Sequence, residues 1–451
     1  MPSPLTPSRR RARLGWGAAL AVLALAGTAG LAGCTSTADD VPAPPATTTA
    51  SSTPSASAAS SAEVTTAVSD LLRRRAAAVV AGDESAYAAT VADRSSAAGR
   101  RQLDSFGAAR ALRVSRLEVG EPVVDPVDLL ETGPSTGATG SSRATAQVDV
   151  RYRVDDLDRG DRVARLEYDL VRSDAGWQVE AERPVGPGAT APWVAMPTLR
   201  VRRGEHAVVA GTVPGKRLAE HAAVVDRAVP TLRTQWSGTP SRVLVLAPST
   251  SQEADALLGR TESGAAPVAA TTEGPLRDSG TATGDRVVLD PTAFGRLTAS
   301  GRDVVLTHEL AHVAVRATVP GRPAGWLAEG YADHVGYARA DVSTARLVAP
   351  LVGAIRTGHG PRRLPTTSDL QPTSGDIEVP YLAAWQAVEL IAHDHGEAAL
   401  RRLVAASAST GSDAEAEAAT DAALVSVLHT TRAELTDRWL TRLGRLATNP
   451  G

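Results

Sequence analysis

The sequence predicts an α+β protein of two folded units behind an export signal and a tether. Three observations carry this. Residues 63–190 open with helical periodicity and close on alternating apolar and polar runs. Residues 191–451 alternate strand and helix, then become almost wholly helical. Residues 34–62 are nearly all Ala, Ser, Thr and Pro, a composition that cannot bury enough apolar surface to order itself. At 451 residues the chain is long enough for two or three cores.

The first 33 residues read as a secretion signal. Arg9, Arg10, Arg11 and Arg13 precede an apolar run from Trp16 to Gly33. The run ends in Leu31-Ala32-Gly33-Cys34, which resembles a bacterial lipobox; the resemblance implies a diacylglyceryl group on Cys34, now the first mature residue. Ser8-Arg9-Arg10 is a weaker twin-arginine signature. Cys34 is the sole cysteine, which excludes an intrachain disulfide and a Cys-rich metal site. Removing four arginines and no acid takes the formal charge from −3 to −7, and Lys216 is the only lysine. A strongly basic nucleic-acid binder is thereby excluded. The expected location is extracytoplasmic, anchored to the cell membrane by lipid at Cys34, with 34–62 as the tether.

The unit over 63–190 begins with a helix through Val64, Val68, Leu71, Leu72, Val79 and Val80, stopping near Gly82-Asp83. A short helix over Ser85–Val91 and strands at Arg113–Val119, Thr145–Val154, Val163–Ser173 and Gly176–Glu182 follow. Ser173-Asp174-Ala175-Gly176 joins the last two as a hairpin. Helices followed by such a meander resemble the NTF2-like α+β cone, a fold that hosts enzymes and inert modules alike. The unit holds no histidine, so a structural or partner-binding role is expected of it.

The unit over 191–451 reads as a strand at Leu199–Ala210, a helix over Lys216–Trp236, and strands at Arg242–Leu246, Pro267–Thr272 and Arg286–Leu289. From Asp303 onward the pattern is helical, with long stretches at Tyr381–Ala406 and Ala414–Leu428.

The chemistry lies where these halves meet. Val304-Val305-Leu306-Thr307-His308-Glu309-Leu310-Ala311-His312-Val313 is an apolar helix carrying His-Glu-x-x-His. Spacing of i to i+4 puts both imidazoles on one face, where they can converge on one ion. Glu309 is rotated off that face and suited to take a proton from water at the metal. Burying these groups in an apolar helix without a partner would be costly, which argues against a merely packed histidine pair. Downstream, Trp326-Leu327-Ala328-Glu329-Gly330-Tyr331-Ala332-Asp333 offers a third ligand, Glu329, on a returning helix. Two His and one carboxylate leave a fourth position open, as catalytic zinc requires. Asp333, one turn past Glu329, can accept the free ring N–H of His308 or His312.

His308-Glu309-Leu310-Ala311-His312 with Trp326-Leu327-Ala328-Glu329-Gly330 resembles the gluzincin metallopeptidases, in particular the peptidase-MA-like group, over about Thr198 to Leu446. The resemblance implies one Zn²⁺ held by His308, His312 and Glu329, with Glu309 as general base and Asp333 behind the ligands. It also implies an edge strand before the zinc helix, a place held by Gly284–Pro291, which fits a plain sheet strand equally well, and an oxyanion-stabilising Tyr or His from the helical lobe. Tyr381 is the candidate, with Tyr331, His359, His393 and His395 behind it. Trp326, Tyr331, Tyr337, Tyr381 and Trp385 are five of the chain's 15 aromatics, consistent with a lined cleft. The Gly-x-Met-Glu-Asn motif of gluzincin aminopeptidases is absent, the only methionines being Met1 and Met196.

The expected function is therefore a membrane-anchored zinc metallopeptidase acting on peptides or envelope proteins. Two other readings remain at this stage: a catalytically silent binding or sensory lipoprotein working through the NTF2-like unit, and a structural lipoprotein whose zinc fixes the fold. Glu309 and an open fourth position discriminate toward the first, since a structural zinc needs neither.

Overall fold

A computed structural model describes residues 56–125, 143–186, 188–260, 268–277, 279–338, 340–371 and 377–448, with side chains from 61 onward. The signal segment, Cys34 and most of the tether lie outside the described residues. The protein is α+β, and it divides into two compact units, one of residues 56–292 with 309–322 and the other of 293–308 with 323–448.

The first unit opens with α1 (Ala56–Ala81), α2 (Glu84–Ala88) and α3 (Ala97–Leu112). Helix α1 begins inside the stretch read as tether, where alanines favour helix once the following turns can nucleate it. It buries Val68, Leu71, Leu72 and Val79. Asp83 and Ser96 cap α2 and α3 by accepting from the Ala86 and Gly99 N–H groups. Helix α3 falls where no element was expected; its buried Gly99, Gln102 and Ser105 dilute the apolar stripe. Strands β1 (Val114–Val119), β2 (Val123–Val124), β3 (Arg143–Val154), β4 (Arg162–Ser173) and β5 (Gly176–Pro184) form an antiparallel sheet in the order β1-β3-β4-β5, with β2 also on β3. Period-two alternation decides its faces. Ala144, Ala146, Val148, Val150, Tyr152 and Val154 of β3 point inward.

After α4 (Pro192–Ala195) comes a second sheet: β6 (Arg200–Arg203), β7 (Ala207–Gly211), α5 (Gly215–Gln235), β8 (Val243–Ala247), α6 (Ser251–Leu258), β9 (Ala270–Glu273) and β10 (Arg286–Leu289). Its order is β6-β7-β8-β10-β9, with β7, β8 and β10 parallel and β6 and β9 antiparallel to their neighbours. Leu199–Ala210, expected as one strand, is the hairpin β6–β7. Arg286–Leu289 is an interior strand, not the expected edge; the edges are β6 and β9. The β8 register sets this, pairing Val245 with Val287 and leaving β9 outside. One apolar core runs from Val68 and Leu112 through Trp193 and Met196 to Leu244 and Val288. Tyr152 and Trp193 meet edge-on at 4.8 Å, and Arg286 donates to Tyr152 Oη (3.0 Å) and Asp158 (3.1 Å).

The second unit is helical: α7 (Ala293–Arg296), the first half of α8 (Ala299–Arg316), α9 (Gly325–Tyr337), α10 (Thr344–Leu347), α11 (Ala349–Arg356), α12 (Glu378–His395), α13 (Glu397–Ala406), α14 (Asp413–Leu428) and α15 (Arg432–Thr448). The stretch Tyr381–Ala406, read as one helix, breaks at Gly396, whose φ of 80° a residue with a side chain rarely adopts. Leu435, Trp439 and Leu443 dock α15, and Trp439 Nε1 donates to Ala383 O. Among the described residues no helix is long and apolar enough to cross a membrane.

Candidate metal centre

Helix α8 forms because its apolar residues run almost all round it: Val304, Val305, Leu306, Leu310, Ala311, Val313 and Ala314 are buried. Thr298 Oγ1 accepts from the Gly301 N–H at its start. Helix α9 has no cap of its own. Its first N–H groups are taken by hydroxyls from elsewhere, Ala324 N–H by Thr420 of α14 and Gly325 N–H by Thr367. This fixes the rotation of α9 and hence where Glu329 and Asp333 point.

His308, His312 and Glu329 each offer a ligand atom, and these atoms lie within 4.8 Å of one another. His308 and Glu329 are fully buried, whereas His312 is partly exposed. His308 Nδ1 lies 2.9 Å from Asp333 Oδ1, and its Nε2 lies 3.2 Å from Glu329 Oε2. Asp333 thus turns the imidazole so that Nε2 faces the other two ligands. Burial opposes charge on His308, but hydrogen bonds to Asp333 and Glu329 and the charges of both carboxylates hold its pKa up at about 10.

The donor set suits a divalent cation. Glu309, Glu329 and Asp333 are all at most 2% exposed, more buried carboxylate than the two imidazoles can offset. A cation among two imidazole nitrogens and a carboxylate oxygen would relieve that imbalance, and those atoms are already gathered. The group could hold a metal ion.

Glu309 lies on α8 beside this group. Its Oε2 accepts from Thr272 Oγ1 at 2.6 Å. Thr272 sits in β9, and nothing in the sequence marked it; a lone Thr in a short strand carries no motif. Tyr381 lies in the first turn of α12, 6% exposed. Tyr331 is buried in α9, its pKa raised by burial, with Arg401 and Glu397 as its electrostatic neighbours. His359 is exposed after α11, within reach of Thr357. His393 is exposed beside Asp394, and His395 ends α12, more than three turns from Tyr381. Asp341 is exposed in the loop after α9.

Tyr337 and Trp385 join α9 to α12, their ring centroids 4.6 Å apart. His334 joins α9 to α12 and α13 through charge: its Nδ1 lies 2.8 Å from Glu389 Oε1 of α12 and its Nε2 2.8 Å from Glu397 Oε1 of α13. Sequence reading missed this strap, because His334 has its partners 55 and 63 residues away.

No protein-family model matches the chain, and no curated protein is significantly similar to it.

Proposed function

We propose that this chain is a zinc metallopeptidase of the gluzincin type, carried outside the cytoplasmic membrane on a lipid anchor at Cys34 behind an NTF2-like unit. One observation carries the reading: His308, His312 and Glu329 gather around one point, with Glu309 on the same helix but not among the three. A structural metal site would have no use for that additional buried carboxylate.

His308, His312 and Glu329 would hold the ion, and Asp333 would keep the His308 tautomer that leaves Nε2 for it. When bound, zinc supplies Lewis acidity toward a carbonyl oxygen and toward water. Glu309 takes a proton from water at its carboxylate and gives it to the leaving amine. Tyr381, at the start of α12, is the proposed donor to the developing oxyanion, with a substrate that is a peptide or protein of the cell envelope. Histidine pairs also occur in sites for other divalent ions, but two imidazoles with a single carboxylate favour zinc over the oxygen-seeking Mg²⁺ and Ca²⁺.

The test is digestion of a pool of unstructured peptides at neutral pH, with and without chelator, read by mass spectrometry. Wild type should cut and chelator should stop it. Glu309→Gln keeps size and removes the base, so its metal content should match wild type while hydrolysis falls about 10²- to 10⁴-fold. A wild type that cuts nothing would leave the binding-lipoprotein reading in its place, and an equally active Glu309→Gln would refute Glu309 as the base.

A further inference from the structure

Strand β9 is one edge of the second sheet, and Val287 of β10 pairs with Thr272 there. Thr272 is 8% exposed and has one hydroxyl proton to give. Two acceptors on Glu309 lie in range, the carboxylate Oε2 at 2.6 Å and the main-chain O at 3.1 Å. The shorter, charge-assisted contact takes the proton. Seven residues on, two turns along the same face of α8, Arg316 donates to Asp285 Oδ2 at 2.7 Å and to Gly274 O at 3.1 Å. Gly274 is two residues beyond Thr272. Edge strand and helix are therefore joined at two successive points, and one of them is the carboxylate of Glu309.

We infer that Thr272 is a positioning residue, which holds the Glu309 carboxylate from the edge strand so that the base is aimed before substrate arrives. The inference rests on Glu309 acting as the base. Packing alone does not explain the arrangement, since a buried valine would fill the same volume without a donor. A β-branched side chain with few rotamers, anchored in a strand, is suited to aiming a flexible Glu.

The test compares the full-length wild type with Thr272→Val, which keeps the shape, and Thr272→Ser, which keeps the hydroxyl. Thr272→Val should retain wild-type zinc content and KM while kcat falls about tenfold, and Thr272→Ser should recover most of kcat. Two measurements need no metal. Crystal structures of the metal-free proteins should show the Glu309 carboxylate displaced in Thr272→Val and held in Thr272→Ser. In metal-free thermal unfolding, the losses in Tm from Thr272→Val and Glu309→Ala should not add, because both remove one bond. Additive losses with an undisplaced carboxylate would overturn the inference. So would unchanged turnover in Thr272→Val where wild type is active and Glu309→Gln is not. If wild type proves inactive, the proposed function fails, and the two metal-free measurements still decide whether Thr272 holds Glu309.

Discussion

His308 Nδ1 and Asp333 Oδ1 stand 2.9 Å apart, joining α8 to α9 with both side chains buried. The bond sets which ring nitrogen His308 presents to the ligand group. Asp333→Ala should therefore weaken metal affinity about 10- to 100-fold without removing a ligand. Competition against a chelator of known affinity measures it. Asp333→Ala binding as tightly as wild type would sink the assigned role.

Metal binding should also depend steeply on pH. The metal must displace the proton on His308, whose pKa is held at about 10 in the metal-free protein. Affinity should thus rise with pH, about tenfold per unit between about pH 6.5 and 9, with about one proton released per ion. Calorimetry in buffers of different ionisation enthalpy counts that proton. A pH-independent affinity would contradict the prediction.

Gly330 lets α9 approach α12. A Cβ there would lie 2.6 Å from Ala384 O and 2.7 Å from Val388 Cγ2, neither of them a flexible tip. Gly330→Ala should cost about 1–3 kcal/mol through overpacking, despite the better helix propensity of Ala. Because Glu329 is the preceding residue, metal content should fall as well. Chemical denaturation and metal analysis check both; a stabilised variant would show the contact to be soft.

The His334 strap makes a pH prediction of the opposite kind. Burial opposes its charge, but Glu389 and Glu397 more than compensate, so its pKa is raised from the ordinary 6.5. A folded-state pKa above the unfolded one adds stability below about pH 6.5, and that stability is lost as pH rises through the folded value. The Tm of wild type should fall relative to His334→Gln over that rise. Parallel Tm profiles for the two proteins would rule the strap out.

The sequence by itself determined the fold class and most elements, because period-two and helical patterns survive in local residue order. Thr145–Val154 and Arg286–Leu289 were legible as strands, and Val304–Val313 as a helix with two histidines one turn apart. The His308, His312 and Glu329 group was also legible, since one helix and a short return constrain where a third ligand can lie. Elements whose apolar stripe is diluted were not, as with α3, nor were breaks that depend on a single backbone angle, as at Gly396.

Only the tertiary structure decided which strand forms the sheet edge, which hydroxyl reaches Glu309, and which carboxylates hold His334. Pairing order follows from how β8 and β10 bury both faces, a choice shared across the whole sheet and written in no single segment. Thr272 meets Glu309 across 37 residues and His334 meets Glu397 across 63. A hydrogen bond is short-ranged and directional, so chain neighbours carry no trace of it until packing has brought its two ends together.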